Sequence, residues 1–414
     1  MKSLILGVCL VLMQLAAWAQ APASYTISTF AGTARSAGFT GDGGDPLNAQ
    51  LNSPAGMVFD SSGSMYIADS VNHRIRKISS GSISTIAGSG KAEYSGDGAA
   101  AGSAGLNTPS GVAVDSSGNI YIADSLSNVV RKITGSNIST VAGKFALGAG
   151  FSGDAAAATS AQLYTPYSIF IDGSNNLYIS DTNNDRIRKV GSDGNINTIA
   201  GNGIPGFAGD GSDATKAKLN GPRGLWVNKA GEVFFADSGN NRIRKIGTDG
   251  KISTVAGTSS IGSFSGDGGL AINAGFNRVV DVKGDAAGNL YVSDSTNSRI
   301  RRITPDGVIT TIAGNGSFAY AGDGGVATSA GLSFPTALLI DASGVVYFAD
   351  SQNQVIRKLT PTTTSSAFPS IAGVAQAGAY GGGSTTAPGS WIEIFGTGLA
   401  TTTRSWATSD FRGS

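Results

Sequence analysis

One short phrase, an aromatic residue followed by an apolar residue, Ala or Ser, and Asp, recurs six times along the chain. It stands at Tyr66–Asp69, Tyr121–Asp124, Tyr178–Asp181, Phe234–Asp237, Tyr291–Asp294 and Tyr347–Asp350, with its aspartates 55, 57, 56, 57 and 56 residues apart. Seven residues after each aspartate comes an arginine: Arg76, Arg131, Arg188, Arg244, Arg301 and Arg357. Six units at a near-constant period must share one architecture, because a single unit of this size cannot bury its own apolar faces.

The interior of one copy says what the unit is. In the second copy, short β-type runs at 111–115, 119–124, 129–133 and 138–143 alternate with Ser, Gly and Asn turn residues. Runs of about five residues with tight turns make a four-stranded antiparallel meander. Packed radially, six such sheets cover each other's faces and leave only short edges. Composition agrees: 61 of 414 residues are glycine and only 14% are charged, which argues against helical bundles and coiled coils. With 40% apolar residues the chain can still build a large core. A net charge of +1 gives no electrostatic reason to expect nucleic acid or an anionic membrane as partner.

The consensus Pro-x-Gly-apolar, Asp-x-x-Gly-x-apolar-Tyr-apolar-Ala-Asp, Asn-x-Arg-Ile-Arg-Lys resembles NHL repeats over about residues 26–359. That resemblance implies an all-β, six-bladed β-propeller of four-stranded antiparallel blades. The added Gly-Asp-Gly segments resemble the longer variant found in bacterial exported proteins and teneurin-like propellers. Thr26–Gly32 matches a fourth strand with no first three before it, and the last copy has only three strands. The N-terminal strand is therefore expected to complete the sixth blade and close the ring, giving a propeller over 25–360.

Outside the repeats, Lys2, the apolar run Leu4–Ala16 and Ala17-Trp18-Ala19 read as a secretory signal peptide over 1–19, cleaved near Ala19. The expected location is secreted, extracellular or periplasmic. Cys9, the only cysteine, lies in that leader, so the mature chain has no thiol for a disulfide or metal site. No other stretch has the roughly 20 apolar residues of a membrane span. Residues 361–386 read as a linker. The segment 387–414 resembles the opening of a bacterial immunoglobulin-like domain, too short for the whole domain, so the sequence reads as a fragment or truncated product.

Candidate chemistry divides into what recurs and what does not. Asp42, Asp97, Asp154, Asp210, Asp267 and Asp323 sit in Gly-Asp-Gly-like triplets. They offer a ring of carboxylates for calcium, but each stands alone, which favours a turn that uses Asp to hold local N–H groups. The Asp69 series is expected to accept bonds from the next turn, and the Arg76 series to form interblade ion pairs or hydrogen bonds. His73, the only histidine, reads as an exposed turn residue, and one imidazole cannot make a His-ligated zinc site.

The breaks in symmetry lie in the first strand, expected to line the central channel. Copy five carries Val279 in place of proline, Asp281 where Gly, Ser or Ala stands elsewhere, and Lys283 in an otherwise apolar position. Tyr167, Arg223 and Arg278 stand at the strand mouths of copies three, four and five. Together these five residues form the candidate ligand-binding patch, weighed against an internal salt bridge. The leading expectation is a non-enzymatic binding module for protein or carbohydrate, with no cofactor implied. Its rival is a metal-dependent lactonase-type propeller hydrolase, which would need Glu, Asn and Asp around a divalent cation in the channel.

Overall fold

The computed structural model describes residues 24–258 and 261–362, and beyond them the backbone of two strands, Ser370–Gln376 and Ile392–Thr397. The leader read at 1–19 lies outside the described residues. So do the segments read as linker and truncated domain, apart from 361, 362 and those two strands. The chain divides into two compact units, Met1–Pro361 and Thr362–Ser414. In the second, the two strands pair antiparallel with Gln376 opposite Ile392.

The first unit is a six-bladed β-propeller. Blade 1 consists of Pro54–Phe59, Met65–Asp69, Arg74–Ser79 and Ser82–Ala87, paired in chain order from the inner strand outwards. Blades 2 to 5 repeat this order with inner strands Pro109–Val114, Pro166–Ile171, Pro222–Val227 and Val279–Gly284. Blade 3 gains a two-residue fifth strand, Ala156–Ala157, from its joining segment. In blade 6 the inner three strands end at Pro361, and the outer strand is Tyr25–Ala31 from the N-terminus, with Tyr25 opposite Pro361. The ring is closed by the strand that the sequence left without companions.

Local chemistry explains the hairpins. In the turn after the first inner strand, Asp60 Oδ1 accepts the N–H groups of Ser62 and Ser64, and Oδ2 accepts the Tyr66 hydroxyl at 3.0 Å. Gly63 supplies the positive φ of 81° that the turn requires. Asp115, Asp172 and Asp285 repeat the bond to Tyr121, Tyr178 and Tyr291. In blade 4, Phe234 has no hydroxyl, and Glu232 instead binds Lys245 at 2.7 Å and Asn228 at 2.8 Å.

The core lies in the seams between blades. Alternation sends one face of each blade to each neighbour: Met57, Met65 and Ile67 pack towards blade 6, while Tyr66 and Ala68 pack with Val112, Ile120 and Ile122 of blade 2. Along the inner strand the pairing slips in every blade, as between Pro54 opposite Asp69 and Met57 opposite Ile67. This β-bulge sits at the second and third residues of the strand, the positions that Tyr167, Arg223 and Asp281 occupy in their blades. Bulges re-aim side chains and often stand beside sites.

Candidate functional site

The recurring charges assemble into closed clusters. Each of the six arginines is fully buried between two aspartates, one seven residues before it and one from the Gly-Asp-Gly triplet of its own joining segment. Arg244, for example, lies 3.1 Å from Asp237 and 2.7 Å from Asp210. The pairs are therefore within a repeat and not interblade as the sequence suggested. The triplet aspartates hold an arginine and not local N–H groups, while Gly41 and Gly43 supply the positive φ values of 90° and 85°. The inner aspartate takes a backbone N–H from its joining segment and not from the next turn, of which it holds only a side chain: Asp69 accepts the Asn52 N–H at 2.8 Å and the Asn72 side chain at 2.8 Å. Burial pushes the carboxyls of Asp181, Asp237, Asp294 and Asp350 up to about 6, and that of Asp124 up to about 7.

A second arginine series covaries with its neighbour. Arg74, Arg186, Arg242 and Arg299 each lie 3.6 to 3.8 Å from the ring centre of a joining-segment phenylalanine: Phe39, Phe151, Phe207 and Phe264. Blades 2 and 6 have Val129 and Val355 in that place. There the aromatic is Tyr94 or Tyr320, whose hydroxyl bonds Asp97 or Asp323 instead.

The blades are stapled at the channel mouth. The residue after each second-to-third turn is left-handed, and in five of the six blades its side chain accepts the N–H of the residue that precedes the next inner strand, the buried Ser298 hydroxyl of blade 5 being the exception. His73 Nδ1 takes Thr108 at 3.1 Å, Asn128 takes Thr165 at 2.9 Å, Asp185 takes Gly221 at 2.7 Å, and Gln354 takes Ser53 across the closure at 2.6 Å. His73 is thus half-buried and engaged, not a bare surface residue. Burial, and then the charge of Arg74, lower its pKa.

Against this background the five symmetry-breaking residues fall into two groups. Asp281 is 5% exposed. Its carboxylate accepts Lys283 Nζ at 2.6 Å, Val282 N–H at 2.9 Å and, from blade 6, Leu338 N–H at 2.9 Å. Lys283 Nζ also donates to the Leu225 carbonyl of blade 4 at 3.1 Å. The pair therefore ties three inner strands together, the internal ion-pair arrangement. It lines a narrow cavity with Gly56, Gly111, Ser168, Gly224 and Ala337.

Tyr167, Arg223 and Arg278 gather above it. The Arg223 guanidinium lies 4.8 Å from the Tyr167 ring centre, and that of Arg278 lies 5.2 Å from Phe334. Burial, and then the charge of Arg223, lower the pKa of Arg278, so the two cations sense each other. The sequence reading missed Phe334, although it occupies in blade 6 the pre-strand position that Arg278 takes in blade 5, with φ of 56° and 57°. It also missed Gly224: a Cβ there would lie 2.5 Å from the Asp281 Cα, so that glycine makes room for the acid.

The chain carries NHL repeats. The NHL repeat model matches residues 51–78 and 106–131, and the teneurin NHL domain model matches 205–265. Chicken teneurin-1 is 30% identical over 225 residues, covering 48% of this chain and 8% of its own. The chain thus spans less than a tenth of that relative's length. Among solved structures, a protein of unknown function from Bacteroides thetaiotaomicron is 20% identical with a TM-score of 0.59, over 82% of this chain and 76% of its own. An auxiliary nutrient binding protein from Bacteroides ovatus is 14% identical with a TM-score of 0.58, over 82% and 77%. At these identities the two structures share the fold.

Proposed function

We propose that this propeller is a recognition module working outside the cytoplasm without catalysis, and that its protein or carbohydrate ligand lands on the face carrying the joining segments. One observation carries the reading. Among the described residues, all 16 large apolar side chains that stand exposed belong to joining segments or to second-to-third turns, Leu126, Phe145, Tyr164 and Phe207 among them. The ends of the joining segments share a face with these turns: the Asn72 side chain of such a turn donates to Gly38 O at 2.6 Å, and Val71 N–H donates to Asn52 O. Leu47, beside Gly63 and Ser80–Gly81, and Leu270, bridged to Val308, lie instead at the other end of their blades. An apolar surface carried by the loops of a rigid scaffold is the mark of an interaction site.

The anchor proposed within that face is the mouth group Tyr167, Arg223 and Arg278, with the Asp281–Lys283 pair beneath as its support. The signal-like leader speaks for export. The similarly folded nutrient binding protein lends analogy of fold and no more. No helix among the described residues is long and apolar enough to cross a membrane. The lactonase-type alternative needs metal ligands converging in the channel. Among the described residues no three His, Cys, Asp or Glu side chains come together in a set able to hold a metal ion, and Asp281 is committed to Lys283 and two backbone N–H groups.

The test is a glycan and cell-surface-protein binding screen of the full chain, run beside a lactone hydrolysis assay with added Ca²⁺ and Zn²⁺. Capture that Leu126→Asp with Tyr164→Asp abolishes at unchanged melting temperature is the expected result. Lactone turnover with a stoichiometric bound metal would overturn the reading.

A further inference from the structure

Arginines in this ring are almost all committed. Six are buried between aspartates, and Arg74, Arg186 and Arg299 each donate to two backbone carbonyls while lying over a phenylalanine. Arg223 and Arg278 differ. Among the described residues neither guanidinium has a carboxylate within ion-pair distance, a lack they share with Arg35 and Arg302, and each lies beside an aromatic ring. The second strand residue, arginine at 223, is Ala55, Ser110, Tyr167, Val280 or Thr336 in other blades. The pre-strand residue, arginine at 278, is Ser53, Thr108, Thr165, Gly221 or Phe334. Nothing in the ring's architecture calls for a long cation at either place, and Arg278 holds it on a left-handed backbone of φ 57°.

The charge balance at the mouth is also open. The nearby acid, Asp281, is 5% exposed and already meets Lys283 and the N–H groups of Val282 and Leu338. Asp185, which accepts the Gly221 N–H at the mouth, is the second carboxylate there, and three cations against two carboxylates leave a surplus of one positive charge at the end of a narrow cavity. Like charges held this close repel, and an anion between them would relieve the repulsion.

We infer that Arg223 and Arg278, with Tyr167 beside Arg223, form a clamp for a carboxylate carried by the ligand. The inference rests on the recognition reading and deepens it by naming the ligand chemistry. A guanidinium offers a planar fork that matches a carboxylate with two parallel N–H···O bonds. The rings of Tyr167 and Phe334 support the forks and limit their rotamer freedom, so less entropy is lost on binding. The Tyr167 hydroxyl adds a donor. A carboxylate can come from a uronic acid sugar or from an acidic peptide side chain, and the clamp treats them alike.

The experiment is isothermal titration of the full chain with tri-galacturonate, a hexaglutamate peptide, the neutral trisaccharide maltotriose, and inorganic sulfate and phosphate, at low and high salt. Binding of tri-galacturonate or of hexaglutamate, weakened by salt, is expected, and whichever binds identifies the source. Arg223→Ala and Arg278→Ala should each weaken it by about tenfold or more. Arg223→Lys with Arg278→Lys, which keeps the charge and guards against misfolding of the alanine variants, should weaken it by several-fold because the planar fork is lost. Sulfate or phosphate bound more tightly than either carboxylate would overturn the clamp. So would unchanged affinity in the variants, or no binding of any probe. Maltotriose bound as well as tri-galacturonate, and lost in Leu126→Asp with Tyr164→Asp, would overturn the clamp while leaving the recognition module standing.

Discussion

A guanidinium without solvent contact between two carboxylates occurs once in each blade, and its cost of desolvation is offset only while both partners remain. Replacing Arg244 by alanine would leave Asp237 buried beside Asp210 with no cation, a change that costs about 3–5 kcal/mol when buried pairs are broken. Thermal melting of the variant should fall well below wild type, and a melting point within a degree of it would deny the cluster its structural role. His73 makes a prediction in pH. Its Nδ1 must stay unprotonated to accept the Thr108 N–H, and burial lowers its pKa from the ordinary value of 6.5. Above about pH 6.5 its contribution to stability is complete; as pH falls from there through the lowered folded pKa, the unfolded chain binds the proton more readily and that contribution is lost. The seam between blades 1 and 2 should loosen first, read as faster hydrogen exchange at Thr108. His73→Asn, the residue that blade 2 uses as Asn128, should remove this acid sensitivity, and an unaltered pH profile in that variant would refute the assignment.

In blades 1, 2 and 4 the inner strand approaches its neighbour so closely that its third position admits little more than hydrogen, and blades 3 and 6 fit only Ser168 and Ala337 there. A Cβ at Gly111 would stand 2.8 Å from the Tyr167 carbonyl oxygen, and one at Gly56 would stand 2.6 Å from that of Ser110. Gly111→Val should therefore force the blade 2 and blade 3 strands apart, at about 1–3 kcal/mol. Chemical denaturation measures it, and a loss below a few tenths of a kcal/mol would show that the strands can part freely. Copy five departs furthest, with Asp281, which uses the room beside Gly224 and accepts three hydrogen bonds, of which that from Leu338 crosses a seam. The same logic pairs Trp226 with Gly284: the indole reaches the place where a side chain at 284 would begin.

Closure decides the stability of the whole ring. Tyr25–Ala31 contributes the buried Tyr25 and Ile27, worth about 2 kcal/mol each, and Thr29 binds Asp323 through both its N–H and its hydroxyl. Deleting 24–32 should lower stability by at least about 4 kcal/mol, the sum of those two burials. Because Tyr25 lies opposite Pro361, a two-residue turn could join them as Ser80–Gly81 joins the outer hairpin of blade 1. A circular permutant with that join, opened at the Ser61–Ser62 turn, should melt close to wild type. If the deletion melts normally, or the permutant fails to fold, the seam is not the closure described.

What the sequence alone determined is what lies close along the chain. Strand pairs, tight turns and the unmatched N-terminal strand are set by alternation and turn residues within some 20 positions, and they repeat six times, so each copy checks the others. The gathering of Tyr167, Arg223 and Arg278 could be anticipated because they break a repeat at neighbouring blades. Tertiary structure alone decided which charges are spent. The Arg76 series meets an aspartate 34 residues back, Asp281 reaches Leu338 57 residues on, and Lys283 reaches Leu225 58 residues back. Such distances, a large part of a repeat or a whole one, become contacts only when blades stand side by side in the ring. The composition shows nearly equal numbers of basic and acidic residues, but only the closed ring shows that Asp281 and Lys283 satisfy each other and that Arg223 and Arg278 meet no acid among the described residues.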